Sequence, residues 1–352
     1  MCAGAAPSAG VYHGPVAHDG GTKAVVTALV ANMGIAVTKF LAWILTGASS
    51  MLAEAIHSVA DSSNQALLLI GGRRAKREAT PEHPFGYGRE RYVFGFIVAI
   101  VLFSVGGLFA LYEAYHKWTH PEPIEGRWVW VPFVVLIVAI CFEGYALRTA
   151  VIESNRSRGQ KSWVEFVRQA KAPELPVILL EDTAALAGLV FALFGVGLTV
   201  VTGNGLWDAA GTALIGVLLV LVAVILAIEM KSLLVGEAAS PEVNATIRAA
   251  LENTREEEHE VAAGSQAEVV HMRTLHIGPE EILVAAKLRI GRSDTGHEVA
   301  AEINEAEARA RTALPGLRLT MYLEPDVVST DASPPDWDVG SATGRTAPRS
   351  SA

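Results

Sequence analysis

Long apolar runs are the feature that most constrains how this chain can fold. A helix needs about 20 mostly apolar residues to cross roughly 30 Å of hydrocarbon. Six segments of the sequence meet that requirement: 24–46, 50–72, 93–117, 128–148, 175–201 and 207–233. Because lipid cannot satisfy exposed backbone groups, such runs fold as helices. The sequence therefore predicts a membrane domain of six transmembrane helices.

The basic residues of the loops predict how these spans are oriented. Lys and Arg are concentrated after the second and fourth spans, whereas the other loops carry almost none. The basic residues are Arg73, Arg74, Lys76, Arg77, Arg89 and Arg91 in one loop, and Arg156, Arg158, Lys161, Arg168 and Lys171 in the other. The positive-inside rule places both loops in the cytoplasm. With an even number of spans both termini are cytoplasmic as well, and we expect a bacterial-type plasma (inner) membrane.

The chain changes character after the last span. Residues 237–326 hold 17 acidic and 9 basic residues, with two alternating strand patterns, a capping box at Thr295 and Glu298, and a third alternating strand. The order α-β-β-α-β predicts a cytoplasmic ferredoxin-like α/β domain. The flanking segments are rich in Gly, Ala, Ser, Pro and Thr, which is typical of disordered tails. The predicted division is 1–22 tail, 23–236 transport domain, 237–326 α/β domain and 327–352 tail.

Ionisable residues inside the apolar spans indicate where function lies, because each costs about 2.5–3.5 kcal/mol to insert. In the second span Glu54, His57 and Asp61 stand at i, i+3 and i+7, so they share one stripe of a helix. In the fifth span Glu181 and Asp182 are adjacent within an apolar run. Both groups must face protein or water rather than lipid.

An imidazole and several carboxylates on two helices could bind a divalent cation through N and O donors. The His57-x-x-x-Asp61 spacing brings two ligands side by side, about 6 Å apart at Cβ. Two other interpretations remain open: a hydrogen-bonded neutral histidine and carboxylate inside the bundle, or an intramembrane enzyme. Cys2 and Cys141 are too few and too scattered for a disulfide framework or a Cys-rich metal cluster.

Other embedded charges give weaker signals. Glu143 lies near the predicted inner end of the fourth span, from which its carboxylate could reach the interface. Asn32 and Lys39, seven residues apart on the first span, lie on one stripe of that helix. Glu143 is thus interpreted as interfacial, with a functional role as the alternative.

Two sequence motifs resemble the cation diffusion facilitator family of zinc and divalent-metal exporters. They are the segment 50–64 (SMLAEAIHSVADSSN) and the segment 83–92 (HPFGYGRERY). The segment 179–188 (LLEDTAALAG) is similar to the fifth-span signature of the subgroup related to the mitochondrial zinc exporter. The resemblance covers about residues 23–326.

The resemblance implies a transported ion bound at mid-membrane by His57, Asp61 and Asp182. The position of the usual fourth ligand, one turn before Asp182, is occupied by Ile178, which cannot coordinate a metal. Glu181, Glu54 or a water would complete the shell. Such an oxygen-rich site would carry Zn²⁺ and could also accept Mn²⁺, Fe²⁺ or Co²⁺. In the loop after the second span, His83 matches a family position, but Thr80 and Tyr87 replace its partners.

The resemblance also implies two features of the cytoplasmic side. His271, His297 and Glu324 match positions that bind regulatory metal in some members, although Ala286 and Tyr322 replace two further histidines. Arg89 matches a basic residue that pairs with an acid near the end of the sixth span, here Glu237. This pair is expected between the protomers of a homodimer, for which the α/β domain would provide the dimerisation surface.

These features together predict a proton-coupled exporter. Metal binds to neutral imidazole and ionised carboxylate, so loading releases protons and alternating access couples the two fluxes. The sequence contains no Walker-type phosphate loop, which argues against direct ATP drive. We expect a transporter without a cofactor, embedded in lipid, with no nucleic-acid partner. The alternatives are an intramembrane metal-dependent hydrolase and a passive cation channel.

Overall fold

The computed structural model describes residues 18–46, 49–121, 129–252, 268–291 and 294–327. The side chains of 18–24, 42–43, 45–46, 49–57 and 60 lie outside this description. The described residues form two compact units. The first comprises those up to Glu237 together with His276–Glu281, and the second comprises Ala238–Leu275 and the residues from Ile282 onward.

Long helices make up the first unit, and their bounds follow the apolar runs of the sequence. They are α1 (His18–Thr46), α2 (Ser49–Ala75), α3 (Glu90–Val101), α4 (Phe109–Thr119), α5 (Trp130–Arg158), the short α6 (Trp163–Gln169), α7 (Glu174–Thr202) and α8 (Leu206–Val235). Within the described part of the chain, four stretches are long and apolar enough to cross a membrane: Glu90–Thr119, Trp130–Arg158, Glu174–Thr202 and Leu206–Val235. Helices α1 and α2 coincide with the first two predicted spans.

A π-helical segment, Leu102–Leu108, joins α3 to α4 within one continuous helix. A Cβ atom built on Gly107 would lie 2.6 Å from Cγ2 of Val220 on α8. Only glycine permits so close an approach. The π-helical turn, which the apolar run did not predict, therefore lies at a close contact between this helix and α8.

Helix α6 lies in the predicted basic loop and was not predicted from the sequence. The Ser162 hydroxyl caps its N-terminus by accepting a hydrogen bond from the Glu165 amide at 3.2 Å. The Arg158 guanidinium stacks 4.5 Å from the centre of the Trp163 ring. These two local contacts explain why a short helix forms between α5 and α7.

The core of the first unit lies between α1, α2, α3, α5, α7 and α8. The N-terminal half of α7 is buried almost completely, as Val177 and Ile178 show. Large apolar side chains on the outward faces are exposed instead, among them Val30, Ile44, Phe194 and Val201. An apolar exterior around a packed interior is the arrangement that a lipid bilayer requires.

The second unit contains the α/β elements in the predicted order. They are α9 (Pro241–Glu252), β1 (Val269–Gly278), β2 (Glu281–Arg289), α10 (Gly296–Ala313) and β3 (Arg318–Asp326). The three strands form one sheet in the order β1-β2-β3. Ile282, Val284, Ala286 and Leu288 are buried alternately along β2, which confirms the period-two pattern. The capping box is also confirmed, because Thr295 and Glu298 exchange side-chain and backbone hydrogen bonds.

Candidate transport site

The predicted residues of the second span all lie on α2. Because α2 is helical throughout Ser49–Ala75, Glu54, His57 and Asp61 follow one another along a single stripe. The side chains of Glu54 and His57 lie outside the described residues, so their contacts stay a prediction. Asp61 is partly buried.

On α7 both predicted carboxylates are buried inside the bundle. Glu181 is 4% exposed and Asp182 is 2% exposed. Oε1 of Glu181 accepts a hydrogen bond from Nδ2 of Asn64 at 2.9 Å, which links α7 directly to α2. Oδ2 of Asp182 is buried and accepts no hydrogen bond from any described residue. Such an oxygen is available to a cation or a proton.

Polar side chains also connect α2 to α1. Asn32 donates to Oε1 of Gln65 at 3.2 Å, and Nζ of Lys39 donates to Oγ of Ser58 at 2.9 Å. All four side chains are buried. Asn32 and Lys39 therefore share the α2-facing side of α1, as their seven-residue spacing predicts. Helix α2 consequently presents polar groups to α1 on one side and to α7 on the other.

Glu143 belongs with this cluster, and its interpretation as an interfacial residue is wrong. The apolar run suggested that the fourth span ends at residue 148, but α5 continues to Arg158, so Glu143 lies near the middle of the helix. Its side chain is 5% exposed, and it interacts electrostatically with Asp61 and Lys39. The C-terminal extension of α5 is polar and helical, so hydropathy alone ended the helix too early.

The carboxylates on α2, α5 and α7 all lie within electrostatic range of one another. Glu181 and Asp182 each interact with both Asp61 and Glu143. Ile178, one turn before Asp182, is fully buried in apolar packing and offers no ligand atom. Among the described side chains, which exclude His57, no three His, Cys, Asp or Glu residues form a metal-coordinating group. The ligand set His57, Asp61, Asp182 and Glu181 therefore stays a prediction.

The residues matched to a regulatory site lie in or beside the sheet of the second unit. His271 and Glu324 line a cavity of about 630 Å³ together with Tyr322. His297, at the start of α10, is not among the residues that line it. Glu324 instead forms an ion pair with Lys287 at 3.2 Å. A regulatory metal bound by His271, His297 and Glu324 stays a prediction.

The loop after α2 folds into a compact turn around His83. The Thr80 and Tyr87 hydroxyls lie within hydrogen-bonding distance, 3.2 Å apart, and the His83 ring packs edge-on against Tyr87. Thr80 and His83 also exchange backbone hydrogen bonds. The side chains that replace family ligands here thus hold the turn together.

Ion pairs at the ends of the helices include two that the sequence did not predict. Arg91 at the start of α3 pairs with Glu174 at the start of α7 at 3.2 Å, with both side chains largely buried. Glu237 pairs with Lys171 in the same chain. The interprotomer pair of Arg89 with Glu237 stays a prediction, since it involves a second protomer.

The Lys171–Glu237 pair should make stability depend on pH. Burial disfavours the ionised form of Glu237, but hydrogen bonds from Lys171 and Ser232 and the charge of Lys171 outweigh it, so the pKa lies below the usual value. A lowered folded-state pKa contributes stability above the unfolded pKa near 4.5, and that stability is lost as the pH falls through the folded pKa. Glu237→Gln should therefore lower the melting temperature at pH 7 by about 2–4 °C, equivalent to at most ~1 kcal/mol for a partly exposed pair.

The same variant should approach wild type once the pH falls below the lowered folded-state pKa, where Glu237 is protonated in both states. Lys171→Met should give the same loss at pH 7, and combining the two changes should add little. Melting curves of the purified protein across this range would test the pair. A Glu237→Gln effect that is equally large at every pH would contradict it.

Comparison with known proteins agrees with this architecture. Residues 25–235 match the family model described as the cation efflux transmembrane domain. The chain is 36% identical over 233 residues to human "Proton-coupled zinc antiporter SLC30A9, mitochondrial", covering 66% of this chain and 41% of the relative. It is 31% identical over 219 residues to Arabidopsis thaliana "Metal tolerance protein C4", covering 61% of this chain and 47% of that protein. "Zinc transporter ZitB" of Pectobacterium atrosepticum is 27% identical over 121 residues, 34% of this chain and 36% of that protein.

The chain therefore belongs to the cation diffusion facilitator family and is related to the mitochondrial zinc transporters within it. Together with the four apolar helices, this makes it an integral membrane protein with a small C-terminal sheet domain. The chain spans about two fifths of the length of its SLC30A9 relatives and about half that of the plant protein.

Proposed function

We propose that this protein exports a divalent metal cation from the cytoplasm, with Zn²⁺ as the main substrate, in exchange for protons. The observation that carries the proposal is the group of carboxylates from α2, α5 and α7 inside an apolar helical unit. Buried acids of this kind persist in membranes where ions or protons pass. The human relative is named a proton-coupled zinc antiporter, and a bacterial relative is named a zinc transporter.

The proposed site consists of His57, Asp61 and Asp182, with Glu181 or Glu54 as the fourth ligand. The orphan Oδ2 of Asp182 supports this choice, because a buried carboxylate oxygen without a donor favours a cation. Asn64 donates to Oε1 of Glu181, but Oε2 of Glu181 is buried without a hydrogen bond from a described residue, so it can also contribute an oxygen ligand. Mn²⁺, Fe²⁺ and Co²⁺ are proposed as further substrates. The more oxygen ligands the site uses, the more readily it accepts them beside Zn²⁺.

The proposed architecture has six spans, with α1 and α2 as the first two, in the domain 23–236. A ferredoxin-like cytoplasmic domain, 237–326, follows and joins two protomers in a homodimer. The basic loops support cytoplasmic placement of both termini. Several relatives are named as mitochondrial proteins, so they do not support a bacterial-type plasma membrane. That proposed location comes from the distribution of basic residues between the loops.

Proton coupling follows from ligand chemistry. A divalent ion binds neutral imidazole and ionised carboxylates, so loading displaces protons, and protonation from the opposite side releases the ion. Alternating access then converts a proton gradient into metal export. The family assignment favours this carrier over an intramembrane hydrolase.

Metal uptake into inverted vesicles at two pH gradients would test the proposal. We expect uptake of Zn²⁺ to increase with an acidic interior, and competing Mn²⁺, Fe²⁺ and Co²⁺ to reduce it in the order of their affinity. Collapsing the gradient should slow uptake several-fold. Flux that ignores the pH gradient and greatly exceeds ~10³ ions per second would indicate a channel, since alternating access proceeds on μs–ms or slower timescales.

A further inference from the structure

A buried lysine lies beside the carboxylates of the proposed site. Lys39 is only 5% exposed and lies within α1, about two turns before its end at Thr46, and its ammonium donates to the hydroxyl of Ser58 at 2.9 Å. Ser58 is adjacent to His57 and one turn before Asp61 on α2. A lysine in an apolar bundle is costly unless opposite charges stabilise it.

Carboxyl groups on neighbouring helices lie within electrostatic range of this ammonium. Glu143 on α5 interacts electrostatically with both Lys39 and Asp61. Glu181 and Asp182 on α7 interact in turn with Glu143 and Asp61. Side chains from α1, α2, α5 and α7 thus form one electrostatic cluster with several carboxylates and a single ammonium among the described residues.

One carboxyl oxygen of Glu143 is also available to bind a cation. Its Oε2 is buried and receives no hydrogen bond from a described residue. A fixed positive charge within reach of such oxygens satisfies part of the negative charge when no metal is bound. A divalent ion that enters the same cluster is repelled by that ammonium and competes with it for the same carboxylates.

We propose that Lys39 is a tethered cation that neutralises the carboxylate cluster in the metal-free protein and competes with the transported ion, with Glu143 as its counter-charge. This inference rests on the proposed function and names a residue that sets the ion affinity of its site. The lysine lowers the affinity of the site, so that a bound ion can leave after the protein changes conformation. An ion carrier needs binding that is strong enough to load and weak enough to release.

Zn²⁺ titration of the purified full-length protein by calorimetry at one fixed pH would test this. Lys39→Met should lower the Kd for Zn²⁺ by about tenfold or more, because it removes repulsion inside a medium of low dielectric constant. Lys39→Arg keeps the charge and should stay within about threefold of wild type. Glu143→Gln should raise the Kd by about tenfold, and Lys39→Met with Glu143→Gln should return near the wild-type value.

Lys117→Met provides a matched control, because Lys117 pairs with Asp208 at 2.9 Å and lies on α4 rather than in the cluster. Its Zn²⁺ affinity should equal that of wild type. Melting curves with and without Zn²⁺ supply a second measurement. Lys39→Met should be less stable than wild type without metal and should gain more stability on adding Zn²⁺.

Folded Lys39→Met that binds Zn²⁺ with unchanged or weaker affinity would overturn the tethered-cation role and leave the exporter intact. If Lys39→Met fails to fold, the Kd for Zn²⁺ of Lys39→Gln and of Glu143→Gln tests the inference instead. A Glu143→Gln protein with wild-type affinity overturns it. Wild-type protein that binds no Zn²⁺ would instead refute the proposed function, and this inference with it.

Discussion

Replacing His57 or Asp61 with alanine should abolish metal-dependent proton flux in proteoliposomes. Each substitution removes a donor from the stripe of α2 that the proposed site needs, and a divalent ion left with fewer ligands loses both affinity and coordination geometry. We expect flux to fall by at least about a hundredfold. The rate of pH change inside vesicles after Zn²⁺ addition measures it directly.

His83→Ala is the matched control for this experiment. His83 lies in the loop after α2, and its backbone, rather than its ring, makes the hydrogen bonds with Thr80. The variant should transport Zn²⁺ at nearly the wild-type rate. Retention of the wild-type melting temperature would show that all the variants are folded, and undiminished flux in both His57→Ala and Asp61→Ala would defeat the site assignment.

The sequence predicted the helices well because apolar runs of membrane length leave the backbone few alternatives. The four stretches from Glu90, Trp130, Glu174 and Leu206 all coincide with predicted spans. The elements of the second unit were predicted because β2 alternates strictly and Thr295 with Glu298 forms a recognisable cap. Hydropathy failed where a helix continues into polar sequence, as α5 does beyond residue 148.

The site was predicted only in part, because periodicity describes one helix at a time. It predicted that Glu181 and Asp182 face away from lipid, which their burial confirms, and it grouped Asn32 with Lys39. It could not show that Asn64 bonds to Glu181, or that Glu143 shares an electrostatic environment with Asp61. Those relations depend on which helices are neighbours, and three-dimensional packing decides that.

Substituting Gly211 with valine should destabilise the protein strongly, because α7 and α8 are in backbone contact there. A Cβ atom on Gly211 would lie 3.0 Å from the carbonyl oxygen of Phe191 and 3.5 Å from Cα of Gly195. A Cβ on Gly195 would in turn lie 3.0 Å from the carbonyl oxygen of Trp207. Backbone atoms cannot rotate away as side chains do, so the helices would have to separate.

Overpacking of this kind costs about 1–3 kcal/mol, which corresponds to a fall of roughly 2–12 °C in melting temperature for a domain of this size. Gly195→Val should behave alike, since it enters the same contact from the other helix. Gly197→Val is the control on α7, because the nearest atom to its Cβ is in the Phe133 ring, 3.9 Å away. If Gly211→Val melts within a degree of Gly197→Val, α7 and α8 do not approach so closely. If it melts well below, the small-residue contact fixes the position of α7 and hence of Glu181 and Asp182.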